Sequence, residues 1–390
     1  MDIRQYENKT IKIMTPGPTQ VSREVYQARS LNTVNPDLDL DFYEFYRDTC
    51  QLFGRLIHTE NECYILGGEG ILGLEAACAS LTEPGDCVLV IDNGIFGKGF
   101  ADFVRLYQGD PVVWSLDYHN PLKQEKLQEY LERDHDFKYA TIVHSDTPSG
   151  LLNPVGQLCP VLKEYGILTV VDSVTGMFAD ELDVDASRID IVCGGSQKAL
   201  SAPPGLTMVA VSGDALRAMH ERTTPIRSFY ANLLTFENYY RDKWFPYTMP
   251  VSDIMGLRQA LEEVAADEQH IMRHQKIAAA TRKGLTQMGL TLYLESGFAS
   301  SVTVFYVPEG LQAQSILERM QKKHHIMIAG CFDVLAGKVI RLGHMGNNAN
   351  IPDMRETLAA LRETLEFLGF ACKSDPVEVF MDCLSKPSLA

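Results

Sequence analysis

Two hydrophobic periods alternate along this chain. Short, β-branched apolar runs at 63–66, 87–91, 112–116, 139–144, 167–172, 189–193 and 206–211 have the length of buried strands. Between them lie longer stretches whose apolar residues recur every three or four positions. At 41–57 the apolar face is Phe42, Phe45, Tyr46, Leu52, Phe53 and Leu56. Similar helical patterns occupy 70–81, 97–106, 124–132 and 154–165, the last with Asn153 at its N-cap and Pro154 at its first position. Strand and helix in strict alternation predict an α/β fold: a mostly parallel seven-stranded sheet flanked by helices on both faces.

After residue 252 the pattern changes. A long helical stretch, broken once, runs to 288. Strands follow at 301–306 and 339–342, then an amphipathic helix at 353–368. The expected organisation is an N-terminal arm (1–20), a large domain (21–266) and a smaller C-terminal α+β domain (267–390). The tail after Lys373 reads as an appendage.

Composition narrows the function classes. The 390 residues are 45% hydrophobic, enough for a substantial core, and the net charge of -16 disfavours a nucleic-acid partner. Nine cysteines without a CxxC pair suit reduced thiols and a cytoplasmic location. No apolar run approaches the roughly 20 residues that span a bilayer, and the first residues lack the apolar core of a signal peptide.

The chemistry concentrates at two points. The run at 167–172 ends on Asp172, so a buried strand delivers a carboxylate to its carboxyl edge. Cys193-Gly194-Gly195-Ser196-Gln197-Lys198 places a lysine after a small-residue turn, where lost solvation makes the amine nucleophilic. An acid for a ring nitrogen and an amine for an aldehyde are what pyridoxal phosphate requires. In that reading Lys198 would form the imine and shuttle the proton, and Asp172 would keep the ring nitrogen protonated. Thr147, in the loop after the 139–144 strand, can donate to the ring's phenolic oxygen, and Phe96 can stack on its face. Arg341, inside an apolar strand, calls for an anion such as a substrate carboxylate. His144 reads as a core histidine.

Other readings compete. Gly68-Glu69-Gly70-Ile71-Leu72-Gly73 followed by Asp92 matches a dinucleotide fingerprint, yet any phosphate suits a Gly-rich turn opening a helix. Cys331 is the candidate nucleophile for a cysteine desulfurase, without a base or cation in its sequence neighbourhood. His270 and His274 have metal-ligand spacing but no third ligand, and read as exposed polar residues; no metal is expected. A non-catalytic vitamer binder is disfavoured by Lys198.

Taken together, Thr15-Pro16-Gly17-Pro18-Thr19, Gly68-Glu69-Gly70-Ile71, Leu74-Glu75-Ala76-Ala77, Asp172-Ser173-Val174, Ser196-Gln197-Lys198 and Arg341-Leu342-Gly343 resemble the class V, fold-type I aminotransferases of the alanine–glyoxylate / serine–pyruvate group. The resemblance implies a pyridoxal 5′-phosphate enzyme that moves an amino group from a small-molecule donor to a small 2-oxo acid, pyruvate or glyoxylate. It implies phosphate contacts from Gly70, Ile71 and Gln197, and Val174 behind the ring. Gly17 and Glu69 would join Arg341 on the substrate side. It further implies a homodimer in which Thr248, within Phe245-Pro246-Tyr247-Thr248-Met249-Pro250, reaches the neighbouring subunit's phosphate. Two residues depart from most of the group: Phe96 replaces more polar or indole stackers, and Glu69 sets a carboxylate beside the phosphate. Glu69, with His144-Ser145-Asp146-Thr147-Pro148-Ser149-Gly150, Ala202-Pro203-Pro204-Gly205-Leu206-Thr207-Met208 and Gly343-His344-Met345-Gly346, also resembles pyridoxamine–pyruvate aminotransferase, whose vitamer is an unphosphorylated substrate.

Overall fold

The computed structural model describes residues 11–385. Seven strands form the central sheet: β1 (Glu62–Gly67), β2 (Cys87–Asp92), β3 (Asp110–Ser115), β4 (Tyr139–Val143), β5 (Leu168–Asp172), β6 (Ile191–Gly195) and β7 (Leu206–Val211). Their spatial order is β1-β7-β6-β5-β4-β2-β3. Only β7 runs antiparallel to its neighbours. The central strands β4, β6 and β7 are buried at every residue, which explains their continuous apolar runs. Pro111, which lacks an N–H for a ladder, lies in β3 at the sheet's edge.

The helices fill the crossovers as the periodicity predicts, and the third glycine of the Gly-rich run shows why that motif is there. Gly73 belongs to the helix Gly70–Leu81. A Cβ on it would lie 2.3 Å from Thr207 Cγ2 of β7, so its bare backbone lets the helix close on the sheet. Asp92 is likewise structural: its carboxylate accepts hydrogen bonds from Ser115 Oγ at 2.8 Å and from the Tyr118 hydroxyl. It is not free to hold a ribose, which removes the dehydrogenase reading. Asn153 differs from its expected capping role. Its amide donates to Val143 O at 2.9 Å and its oxygen accepts from Leu122 N at 3.1 Å, and the helix starts at Val155 without a side-chain cap.

Beyond the helices Val251–Ala266 and His270–Met288, strand β8 (Val302–Tyr306) pairs antiparallel with β9 (Val339–Gly343). A second apolar cluster forms here, and it includes Met14 of the arm. The arm is anchored where Lys12–Ile13 pairs in parallel with Ile326–Met327. Two expectations are corrected. The tail is not an appendage: helix Pro376–Ser385 packs on His270–Met288 and buries Phe380 completely. His274 is not exposed. Its Nδ1 faces His270 O at 2.6 Å and its Nε2 accepts from Gly346 N at 2.8 Å. Burial pushes its pKa down to about 4, which keeps it a neutral acceptor. Among the described residues, no helix is long and apolar enough to cross a membrane.

Candidate active site

Parallel strands deliver functional groups at their carboxyl ends, and this sheet does so at β5 and β6. Asp172 is the last residue of β5. Strand β6 ends at Gly195, and the chain then turns through Ser196-Gln197-Lys198 before returning as β7. That turn is tied down on all sides. Ser196 Oγ donates to Pro203 O at 2.7 Å, Ser201 N donates to Lys198 O at 2.9 Å, and Thr19 Oγ1 donates to Lys198 O at 3.0 Å. The lysine side chain lies along the arm. Its Nζ donates to Pro16 O at 3.0 Å, and Gly17, at φ +90°, is so close that a Cβ would stand 2.5 Å from Lys198 Cδ.

One cavity gathers Glu69, Ile71, Leu74, Phe96, Thr147, Asp172, Val174, Thr175 and Lys198. Burial dominates its electrostatics. The Asp172 carboxyl is pushed up to about 7, although Val174 N–H and the nearby Lys198 amine favour its charged form. Burial likewise drives the Lys198 amine down to about 8, with Arg341 adding to the fall while Asp172 and Glu69 oppose it. The amine is thereby a nucleophile near neutral pH.

At the other end of the cavity, Glu69 caps the helix Gly70–Leu81. Its Oε2 accepts from Ile71 N at 3.1 Å and its Oε1 from Gln197 Nε2. An anion cradle is therefore present, and a side chain of the same protein holds two of its donors. Glu69 itself is exposed at the mouth of this cradle. Arg341, in β9, donates from Nε to Gly330 O at 2.7 Å and lies 3.5 Å (Nη1) from Thr147 O. Among the described residues it forms no ion pair, which leaves guanidinium hydrogens for a ligand. His144 is a core histidine: buried, with Nδ1 2.9 Å from Ser173 Oγ and its pKa lowered to about 4. Burial raises the Cys331 thiol, against the pull of Arg341, so it is a poor nucleophile. Thr248 lies apart; its hydroxyl donates to Asp37 Oδ2 at 3.2 Å on an exposed surface.

Three groups were not singled out from sequence. Thr175 shares a hydrogen bond with Thr147 in the cavity. Asp146, fully buried, accepts from Phe96 N at 3.1 Å and from Ser149 Oγ at 2.6 Å, and so fixes the start of the helix that carries Phe96. The Pro16 carbonyl is a backbone group with no side-chain signal. For Asp146 the signal existed: like Asp172, it is an acid at the carboxyl end of a buried apolar run.

The profile of the aminotransferase class-V family matches residues 18–332. The chain belongs to this family. Among class-V relatives, an uncharacterized aminotransferase of Methanocaldococcus jannaschii is 34% identical over 96% of this chain and 97% of its own. Pyridoxamine–pyruvate transaminase of Mesorhizobium japonicum is 31% identical over 86% of each. The solved ureidoglycine–glyoxylate aminotransferase of Bacillus subtilis superposes with a TM-score of 0.92 at 27% identity, covering 96% of this chain and 98% of that one. Class-V aminotransferases are pyridoxal 5′-phosphate enzymes of fold type I. The residues here fit that group. The Asp172 carboxyl, desolvated by burial and held by one backbone donor, suits a protonated pyridine nitrogen, and Ile71 N–H with Gln197 Nε2, the two donors that meet Glu69 at the helix start, suit a phosphate.

A Lys198 amine titrating at about 8 is roughly one-tenth neutral at pH 7, against about one part in three thousand for an ordinary lysine. When cofactor-free protein is mixed with pyridoxal 5′-phosphate, the rate of yellow colour formation should rise with pH and level off just above 8. A rate still climbing through pH 10 would contradict the depressed amine.

Proposed function

We propose that this aminotransferase carries an amino group from a small amino donor to a small 2-oxo acid, pyruvate or glyoxylate, with Lys198 as its catalytic amine. The observation that carries this reading is the convergence of Lys198 and Asp172 on one buried cavity, with the Arg341 guanidinium, which forms no ion pair among the described residues, beside it. Relatives that act on pyruvate or glyoxylate by name support the acceptor class. Bound pyridoxal supplies an aldehyde and an electron-withdrawing ring. Asp172 holds the proton on the ring nitrogen, and Phe96 and Val174 cover the two faces. Thr147, paired with Thr175, reaches the phenolic oxygen. Gly70, Ile71, Gln197 and Thr248 serve the phosphate. Lys198 Nζ takes the proton from the donor's α-carbon, and in the second half-reaction returns a proton to the acceptor's C2. Arg341 grips the acid's carboxylate by parallel hydrogen bonds, with Gly17 alongside.

The active unit in this reading is a homodimer with shared sites. Exposed Leu31, Val34, Leu38, Phe229, Tyr230 and Trp244 support it. Their segments are joined by the Thr248–Asp37 hydrogen bond and by Tyr230 stacked on Tyr247 at 4.4 Å. Tyr247 Oη in turn accepts from Gly67 N at 3.1 Å, which brings this apolar surface beside the anion cradle. Nine unpaired cysteines support a reducing, cytoplasmic setting.

A second reading is favoured by Glu69. Its carboxylate lies where a phosphate would be held, and two like charges there repel. An unphosphorylated vitamer, its hydroxymethyl group donating to Glu69, would then be the amino donor.

Lys198→Ala should abolish the yellow colour and nearly all turnover; near-normal turnover refutes the assigned role. Arg341→Ala should raise the KM for pyruvate at least tenfold, the scale of a lost charge-assisted pair, while leaving the cofactor's absorbance in place. An unchanged KM refutes the carboxylate grip. Sedimentation should give a dimer, and Thr248→Ala should weaken phosphorylated-vitamer binding; a monomer with full activity removes the shared site. Acid release and mass spectrometry identify the bound vitamer. Under the second reading, Glu69→Gln favours pyridoxal 5′-phosphate over pyridoxal relative to the parent protein, and an unchanged preference rejects it.

A further inference from the structure

The segment that flanks Arg341 is fixed residue by residue. Ala329 and Arg341 exchange backbone hydrogen bonds of 3.2 and 2.7 Å, and Arg341 Nε donates to Gly330 O. Two residues on, Phe332 is extended, and Asp333 then turns the chain sharply at φ +53°. The turn closes through Leu335 N to Phe332 O at 3.2 Å, and Leu335 is buried among Val304 and Val339. The Phe332 ring is thus held by an anchored turn, not by a floppy loop.

Phe332 is 45% exposed, its ring centroid lies 5.7 Å from Arg341 Cζ, and the ring meets Phe96 edge-on with centroids 6.1 Å apart. It spans the gap between the guanidinium and the aromatic wall of the cavity.

We infer that Phe332 is a specificity-determining residue that limits the 2-oxo acid to a short chain. This rests on the proposed carboxylate grip by Arg341. An acid held there by its carboxylate, with C2 facing Lys198, carries its remaining chain past the neighbouring ring. A methyl group fits against the edge of the ring, and longer chains meet it. Apolar walls of this kind discriminate by roughly tenfold or more per methylene.

The test uses the reverse half-reaction, which needs no knowledge of the physiological donor. Protein loaded with pyridoxal 5′-phosphate, or mixed with pyridoxal, is reacted with L-alanine, L-2-aminobutyrate and L-norvaline and followed by stopped-flow absorbance. Phe332→Ala should raise the rate ratio of 2-aminobutyrate to alanine by about tenfold, and Phe332→Trp should lower it. Calorimetric titration of the cofactor-free protein with pyruvate and 2-oxobutanoate gives a readout independent of turnover, and the same shift in ratio is expected. Phe332→Leu serves if the alanine variant does not fold. Unchanged ratios in a folded variant overturn the inference. If those ratios are flat while Arg341→Ala still raises the KM for pyruvate, the carboxylate grip stands and the size filter alone fails. If Arg341→Ala is also silent, the failure lies in the grip itself.

Discussion

Desolvation of two opposite charges at one edge of the sheet is the constraint on which this architecture depends. A carboxylate and an ammonium removed from water each cost several kcal/mol unless closely compensated. Asp172 has one backbone donor and Lys198 one carbonyl acceptor, so neither is fully compensated. The hydrophobic stabilisation of a large apolar core offsets that cost. In return, the acid gains a demand for a cation and the amine gains a neutral form near physiological pH. The same burial that weakens both charges makes them useful.

Much of the scaffold was legible in the sequence because its strands are buried on both faces and so carry uninterrupted β-branched runs. The helix Gly70–Leu81 follows from its Gly-rich start, and the single break expected in the 252–288 stretch is present, at Asp267–Gln269. The misreadings share a cause. Asn153 and His274 have the sequence of a cap and of a surface residue, but each makes long-range hydrogen bonds that local pattern does not encode. Helix Pro376–Ser385 is short, and its apolar face gains meaning only against another helix distant in sequence.

The site divides in the same way. Lys198, Asp172, Thr147 and Phe96 stand at strand ends or helix starts, where sequence position predicts spatial position. Arg341 drew notice because an arginine in an apolar strand is costly without a partner, and the structure sets it beside the cavity on the Gly330 and Thr147 carbonyls. Phe332 drew none. Its importance comes from the register of 329–335 against Arg341, and a phenylalanine after Gly330-Cys331 looks like any other. Glu69 lies between these cases. Its presence beside a phosphate loop is visible in sequence, but its two hydrogen bonds across the cradle belong to three dimensions.

The contact between the Lys198 amine and the Pro16 carbonyl ties the site to the second apolar cluster. The arm that supplies this carbonyl is secured by Met14 in that cluster and by Gly343 N–H on Met14 O. A substitution that loosens the packing around Met14 therefore displaces the acceptor of the Lys198 amine from a distance, without changing any residue that lines the cavity.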